Sequence, residues 1–186
     1  MAARRLWFIM HRAAKAPCRR RPVSSTLGVM LAPFTITYQL VGTGWSVCRL
    51  NAGALETEIS ASYLSDALGN LILSALAVAS GFRSVSFGFD QEPGEYRWII
   101  ETVDTDLVRL RIVEFGELWG NKPDDAGRLH FEVSMRPRQY AEAVASAAED
   151  VLVAHGLNGY AERWADHKFP ERELTLLRSA IESRYQ

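Results

Sequence analysis

The stretch FDQEPGEYRW, residues 89–98, gathers Asp90, Glu92 and Glu95 around a Pro-Gly pair and follows them with Arg97. Three carboxylates this close could hold a cation or a basic ligand. Phe87 and Phe89 alternate into the stretch, however, and Tyr96 and Trp98 alternate out of it. That spacing predicts a hairpin with Pro93 and Gly94 at the centre of a type II turn and the three acids solvated at its tip. Arg97 then points away from the Tyr96/Trp98 face. Glycine spacing for phosphate binding is missing: GTG at 42–44 has no third glycine and opens no helix, and there is no GxxxxGK[ST]. Nucleophilic catalysis has no GxSxG behind it, and Cys48 lies inside a strand pattern, where a small buried side chain is the simplest reading.

Four histidines remain as acid-base candidates. His155 falls at a helix end, where a cation meets the last carbonyls favourably. His130 is the better catalytic candidate, together with Glu132, because alternation along GRLHFEVSM sets both beside a row of arginines on neighbouring strands. That row, Arg97, Arg109 and Arg111, would share one sheet face with Glu101, Arg128, His130, Glu132 and Ser134, either as a solvated charge ladder or as a polar binding surface. Two loop tryptophans extend the candidate binding set. Trp119 in FGELWGNKPDDAGR and Trp164 in GYAERWADHKFP each occupy segments where turn formation does not require an indole, and Trp is enriched at interface centres. Each could equally fold back and staple its own loop. The acid pairs Asp104/Asp106 and Asp124/Asp125 lack EF-hand spacing, and the two cysteines form no CxxC. No metal and no cofactor is expected.

The elements that must position these residues follow from periodicity. FTITYQLV, WSVCRLN and LETEISA read as three antiparallel strands, and SYLSDALGNLILSALAVASG as a helix with Leu68, Leu71, Ile72 and Ala75 on one face, Ser65 as N-cap and Gly81 as stop. Four more strands follow in meander order, FRSVSFGFD, EYRWIIETV, LVRLRIVEF and GRLHFEVSM, joined by links too short for parallel crossovers. Pro137 then opens a helix that Gly156 ends, a short helix follows, and Pro170 opens the last one. The fold class is α+β: an antiparallel sheet of about seven strands, with one helix inserted after strand three and two to three C-terminal helices packed on one face.

Composition bounds the rest. With 48% hydrophobic and 23% charged residues in 186, one globular domain at 33–186 is expected. Residues 1–32 read as a basic leader, whether disordered, a targeting segment, a spurious extension or a phosphate-binding arm. Seven of the 21 basic residues lie before residue 30, which leaves 14 against 22 acids in the remainder, a net charge of −8. An acidic body disfavours nucleic acid as a ligand and suits a basic protein partner. No stretch reaches the roughly 20 apolar residues that a membrane span needs, and cysteine usage fits a reducing, cytoplasmic setting.

ISASYLSDALGNLILSAL, EPGEYRW, VEFGELWG and GYAERWADHKFPEREL, in that order, resemble a family of small bacterial proteins of the actinobacterial type for which no activity is established. The resemblance covers about residues 35–180 and implies no catalytic residue. A small, acidic α+β chain is also similar in general character to immunity proteins that neutralise toxins. Two functions are therefore expected: a cytoplasmic, non-enzymatic binding protein of immunity-like character that meets another protein; or a small enzyme or small-ligand-binding protein with a polar sheet-face cleft around His130. The sequence sets no oligomeric state.

Overall fold

The computed structural model describes residues 9–11, 32–165 and 167–185. In chain order its strands are β1 (Ile9–His11), β2 (Phe34–Val41), β3 (Trp45–Ala52), β4 (Leu55–Ser62), β5 (Ser84–Asp90), β6 (Glu95–Asp104), β7 (Leu107–Phe115) and β8 (Arg128–Met135). The helices are α1 (Ala67–Ala79), α2 (Pro137–Arg163) and α3 (Glu171–Tyr185). The class is α+β with antiparallel pairing throughout, and β2–β8 fall where alternation predicts them.

One expectation is corrected. The strands form two sheets, β2-β3-β4 and β1-β5-β6-β7-β8, rather than one sheet of seven. Insertion of α1 between β4 and β5 is the reason: its 13 residues carry the chain off the edge of the first sheet before the second begins. Of the leader, Ile9–His11 pairs with the Ser84–Ser86 edge of β5. Its remaining residues lie outside those described, apart from Ala32.

The inner faces of both sheets and all three helices share one apolar core. Phe87 stacks on Trp98 at 5.4 Å and Phe89 tilts against the same indole at 5.1 Å. Tyr38 crosses from the smaller sheet to meet Phe89 edge-on at 6.3 Å. Helix α1 is buried nearly all round, because β5 lies on one side and α2 and α3 on others. Its N-cap is Asp66, whose carboxylate accepts from the Gly69 amide at 3.0 Å. The expected cap, Ser65, instead accepts from the Asp90 amide at 3.1 Å and so ties the start of α1 to the end of β5. At the other end Arg184 of α3 donates to the Ala79 carbonyl at 2.7 Å, satisfying an acceptor that the helix leaves open. Gly156 breaks α2 with φ 63°, the position where the sequence ends the helix.

The β5–β6 hairpin departs from its expected geometry. The Glu92-Pro93 peptide is cis, which sets Pro93 at the third position of a tight turn, not the second, and the Gln91 amide donates to the Gly94 carbonyl at 2.7 Å. Gly94 lies directly under the Phe115 carbonyl, with no room for a Cβ. Gly94→Ala is therefore expected to destabilise the protein by about 1–3 kcal/mol, read as a lower urea midpoint. An unchanged midpoint would mean that the hairpin shifts freely against β7.

Candidate functional site

Alternation gives the larger sheet an outer face, turned away from the core. Cross-strand registry sets Ser84, Glu101, Arg109 and Ser134 in one row on it, Ser86, Ile99, Arg111 and Glu132 in the next, and Gly88, Arg97, Val113 and Leu129 in a third. The predicted row of arginines is therefore present. It is not wholly polar, however. Ile99, Val113 and Phe115 form a second, small apolar cluster at the end of this face nearer the β5–β6 hairpin. The LVRLRIVEF pattern contained that signal, because Val113 and Phe115 share the parity of Arg109 and Arg111.

The link between β7 and β8 covers this cluster. Gly127 sits so close to Val113 and the Phe115 ring that no side chain fits there. Arg97 holds the link from below: its guanidinium lies 4.3 Å over the Phe115 ring, donates to the Lys122 carbonyl at 2.7 Å, and pairs with Asp124 at 2.8 Å and Glu95 at 2.7 Å. Burial alone would lower its pKa, but the bonds to Asp124 and Glu95 outweigh that and raise it, so the cation is fixed. Arg97 was expected on the polar binding surface. Its contacts to Lys122 and Asp124 instead staple this loop, and the one to Glu95 ties it to the hairpin.

Trp119 stands at the outside of the same loop and is 68% exposed. Its backbone is left-handed, with φ 55°, and Asn121 follows at φ 49°. A non-glycine residue there costs about 1–2 kcal/mol relative to ordinary backbone. The indole N–H donates to Asp90 at 3.3 Å. Asp90 is buried and Glu95 is largely covered, so two of the three hairpin acids are structural groups and only Glu92 is solvated as expected. Sequence reading missed Asp90 as a positioning residue because its partner lies 29 residues away.

The remaining candidates scatter. His130 does not share a face with Arg109 and Arg111. Registry passes from Ile112↔Phe131 to Val113↔Leu129, so His130 is the extra residue of a β-bulge, and strict alternation fails at that point. Its ring packs inward against Tyr96 at 5.0 Å, Nε2 meets the Thr57 hydroxyl of the other sheet at 2.9 Å, and Nδ1 lies 3.6 Å from Glu114. Glu114 also pairs with Arg128, which the same register shift removes from the expected face. Glu132 stays on the outer face and is exposed, so His130 and Glu132 do not converge on a common point. Arg109 and Arg111 both reach Glu101. Trp164 is fully buried against Tyr38 and Tyr160 and presents nothing to a partner. Cys48 is fully buried, and burial pushes its thiol far above the ordinary range. Among the described residues no group of His, Cys, Asp and Glu could hold a metal ion, and no helix is long and apolar enough to cross a membrane.

No protein-family model and no curated protein matches the chain. Among solved structures it is similar to a chain of the CdiA-CT/CdiI toxin and immunity complex from Enterobacter cloacae, at 12% sequence identity and a TM-score of 0.41, over 62% of this chain and 99% of that one. At that level of likeness neither fold nor function transfers.

The loop architecture is testable without a ligand. Arg97→Met removes the ion pairs and leaves the apolar contact, so residues 117–124 should become the first site of limited proteolysis, with a global stability loss of about 1–3 kcal/mol. Unchanged cleavage would show that the loop holds its place without the guanidinium.

Proposed function

We propose that this protein works by binding another protein, with the Trp119 loop and the β5–β6 hairpin as the contact surface. The observation that carries this reading is Trp119 itself: a large aromatic side chain, mostly exposed, fixed by its own N–H on Asp90 and held in strained backbone. Burial does not explain that expense, and strain of this kind concentrates at functional positions. A pre-positioned indole also loses little freedom on docking, which favours it as an interface anchor.

Charge specifies the partner. Segments 90–97 and 117–125 carry six carboxylates, Asp90, Glu92, Glu95, Glu117, Asp124 and Asp125, against Arg97 and Lys122. These two segments therefore carry a net charge of −4 and would draw a basic partner by long-range attraction. Neutralisation of a basic toxin, as an immunity protein does, is the specific form of this proposal. The acidic body and the outward display of a single anchor support it. An enzymatic reading around His130 draws no support from the geometry, since its ring is tied between Thr57 and Glu114 and faces away from Arg109 and Arg111.

Strain and binding should separate in one variant. Trp119→Gly relieves the left-handed backbone, so its melting temperature should equal or exceed that of the parent chain. Its affinity for the partner captured by the parent chain should fall by at least about 30-fold, and the association rate of the parent chain should drop steeply with added salt. Equal affinity of the two chains would remove the loop from the interface.

A further inference from the structure

The outer face of the larger sheet holds a second feature, in the two cross-strand rows that follow the one pinned by Arg97. Arg109 and Arg111 both direct Nη2 at one oxygen, Oε2 of Glu101, at 3.1 and 3.2 Å. Those distances are long beside the 2.7–2.8 Å contacts of Arg97 in the same sheet, and charge-assisted bonds ordinarily close to about 2.7–2.9 Å. One oxygen between two cations is an under-supplied acceptor. The Nε atoms of both arginines are shielded from solvent and have no hydrogen-bond partner among the described residues. A shielded N–H without an acceptor is costly.

Two guanidinium groups carry ten N–H donors, and the hydrogen bonds to Glu101 use two of them. The unused Nε–H belongs to the planar edge that grips two oxygens of a carboxylate or phosphate side by side. Ser134 stands directly across from Arg109, so one hydroxyl group flanks the pair on the neighbouring strand β8. The side chains of Arg109 and Arg111 remain 39% and 28% exposed, so an anion reaches the pair from solvent and engages the shielded Nε–H groups as the guanidinium planes turn outward. Glu132, exposed and directly across from Arg111, adds a negative charge beside the same donors.

We propose that Arg109 and Arg111 form a binding site for an oxyanion with two adjacent oxygens, a phosphate or a carboxylate, seated on the open sheet face with Ser134 at its side. A ladder of ion pairs built only for sheet stability would use its Nε–H groups within the protein. The site also opposes the charge of the body, so an anion reaching it must be recognised by the fork and not by net attraction.

The test follows the arginine Nε–H resonances of the full chain by NMR while inorganic phosphate, and separately acetate, is added at constant ionic strength against sodium chloride. Saturable movement of the Arg109 and Arg111 signals is expected with one or both oxyanions, and the arm that saturates first identifies which oxyanion the site prefers. Arg97, already engaged on all sides, should stay still. Arg111→Lys keeps the charge but loses the fork and should weaken binding about tenfold. Glu132→Gln should tighten it about threefold. Movement no greater than chloride produces, movement shared equally by Arg97, or full affinity in Arg111→Lys would each overturn the site.

Discussion

Among the described residues the two sheets share no ladder hydrogen bond and are held together by burial, which helices α1, on β5, and α2, on β2, concentrate between them. Leu68, Leu71, Ile72 and Ala75 are fully buried in the core that both sheets share. Full burial of a leucine or isoleucine side chain stabilises by about 1.5–3 kcal/mol, so these few residues outweigh the polar ties between the sheets. Those ties are the Thr57 to His130 contact and the Ser65 hydroxyl on the Asp90 amide. Helix α1 has no charged residue in its first or last turn and is completed from outside by the Asp66 side chain and Arg184. Its start is thus fixed by the segment just before it and its end by α3, while Ser65 ties the entry to α1 to the end of β5.

With the inner faces committed to this core, functional display falls to the outer face of the larger sheet. That face is divided. Near the hairpin it is apolar and covered by a loop that Arg97 pins; farther along it is charged and open. The two halves follow from one strand, β7, in which Arg109 and Arg111 give way to Val113 and Phe115 at the same parity. A loop with Trp119 outward can exist only because Phe115 and Val113 give its underside something to rest on.

Most of the elements were legible because their apolar residues keep a strict period. Strands β2–β8, the break at Gly156 and the start of α3 near Pro170 all follow from alternation, helical spacing and glycine or proline placement. Three features were not legible, each for a physical reason. Separation of the sheets depends on tertiary packing of α1, whose sequence reads as an ordinary one-faced helix. The bulge at His130 inserts one residue without any glycine or proline to mark it, so every assignment N-terminal to Phe131 in β8 shifts face. Trp119 and Trp164 have similar local composition, yet one is exposed and the other fully buried; only the contacts made by Tyr38 and Tyr160 decide between them. Arg97 was legible as a residue on the outer face but not as a staple, because Lys122 and Asp124 lie 25 and 27 residues away.

The claim on which the functional account rests is that a protein partner sits on the Trp119 loop and the adjoining hairpin. Amide hydrogen exchange of the full chain, measured alone and with the captured partner, tests this most directly. Added protection confined to residues 90–97 and 116–127 is the expected result. Protection centred on α2 or α3, with those two segments unchanged, would contradict it.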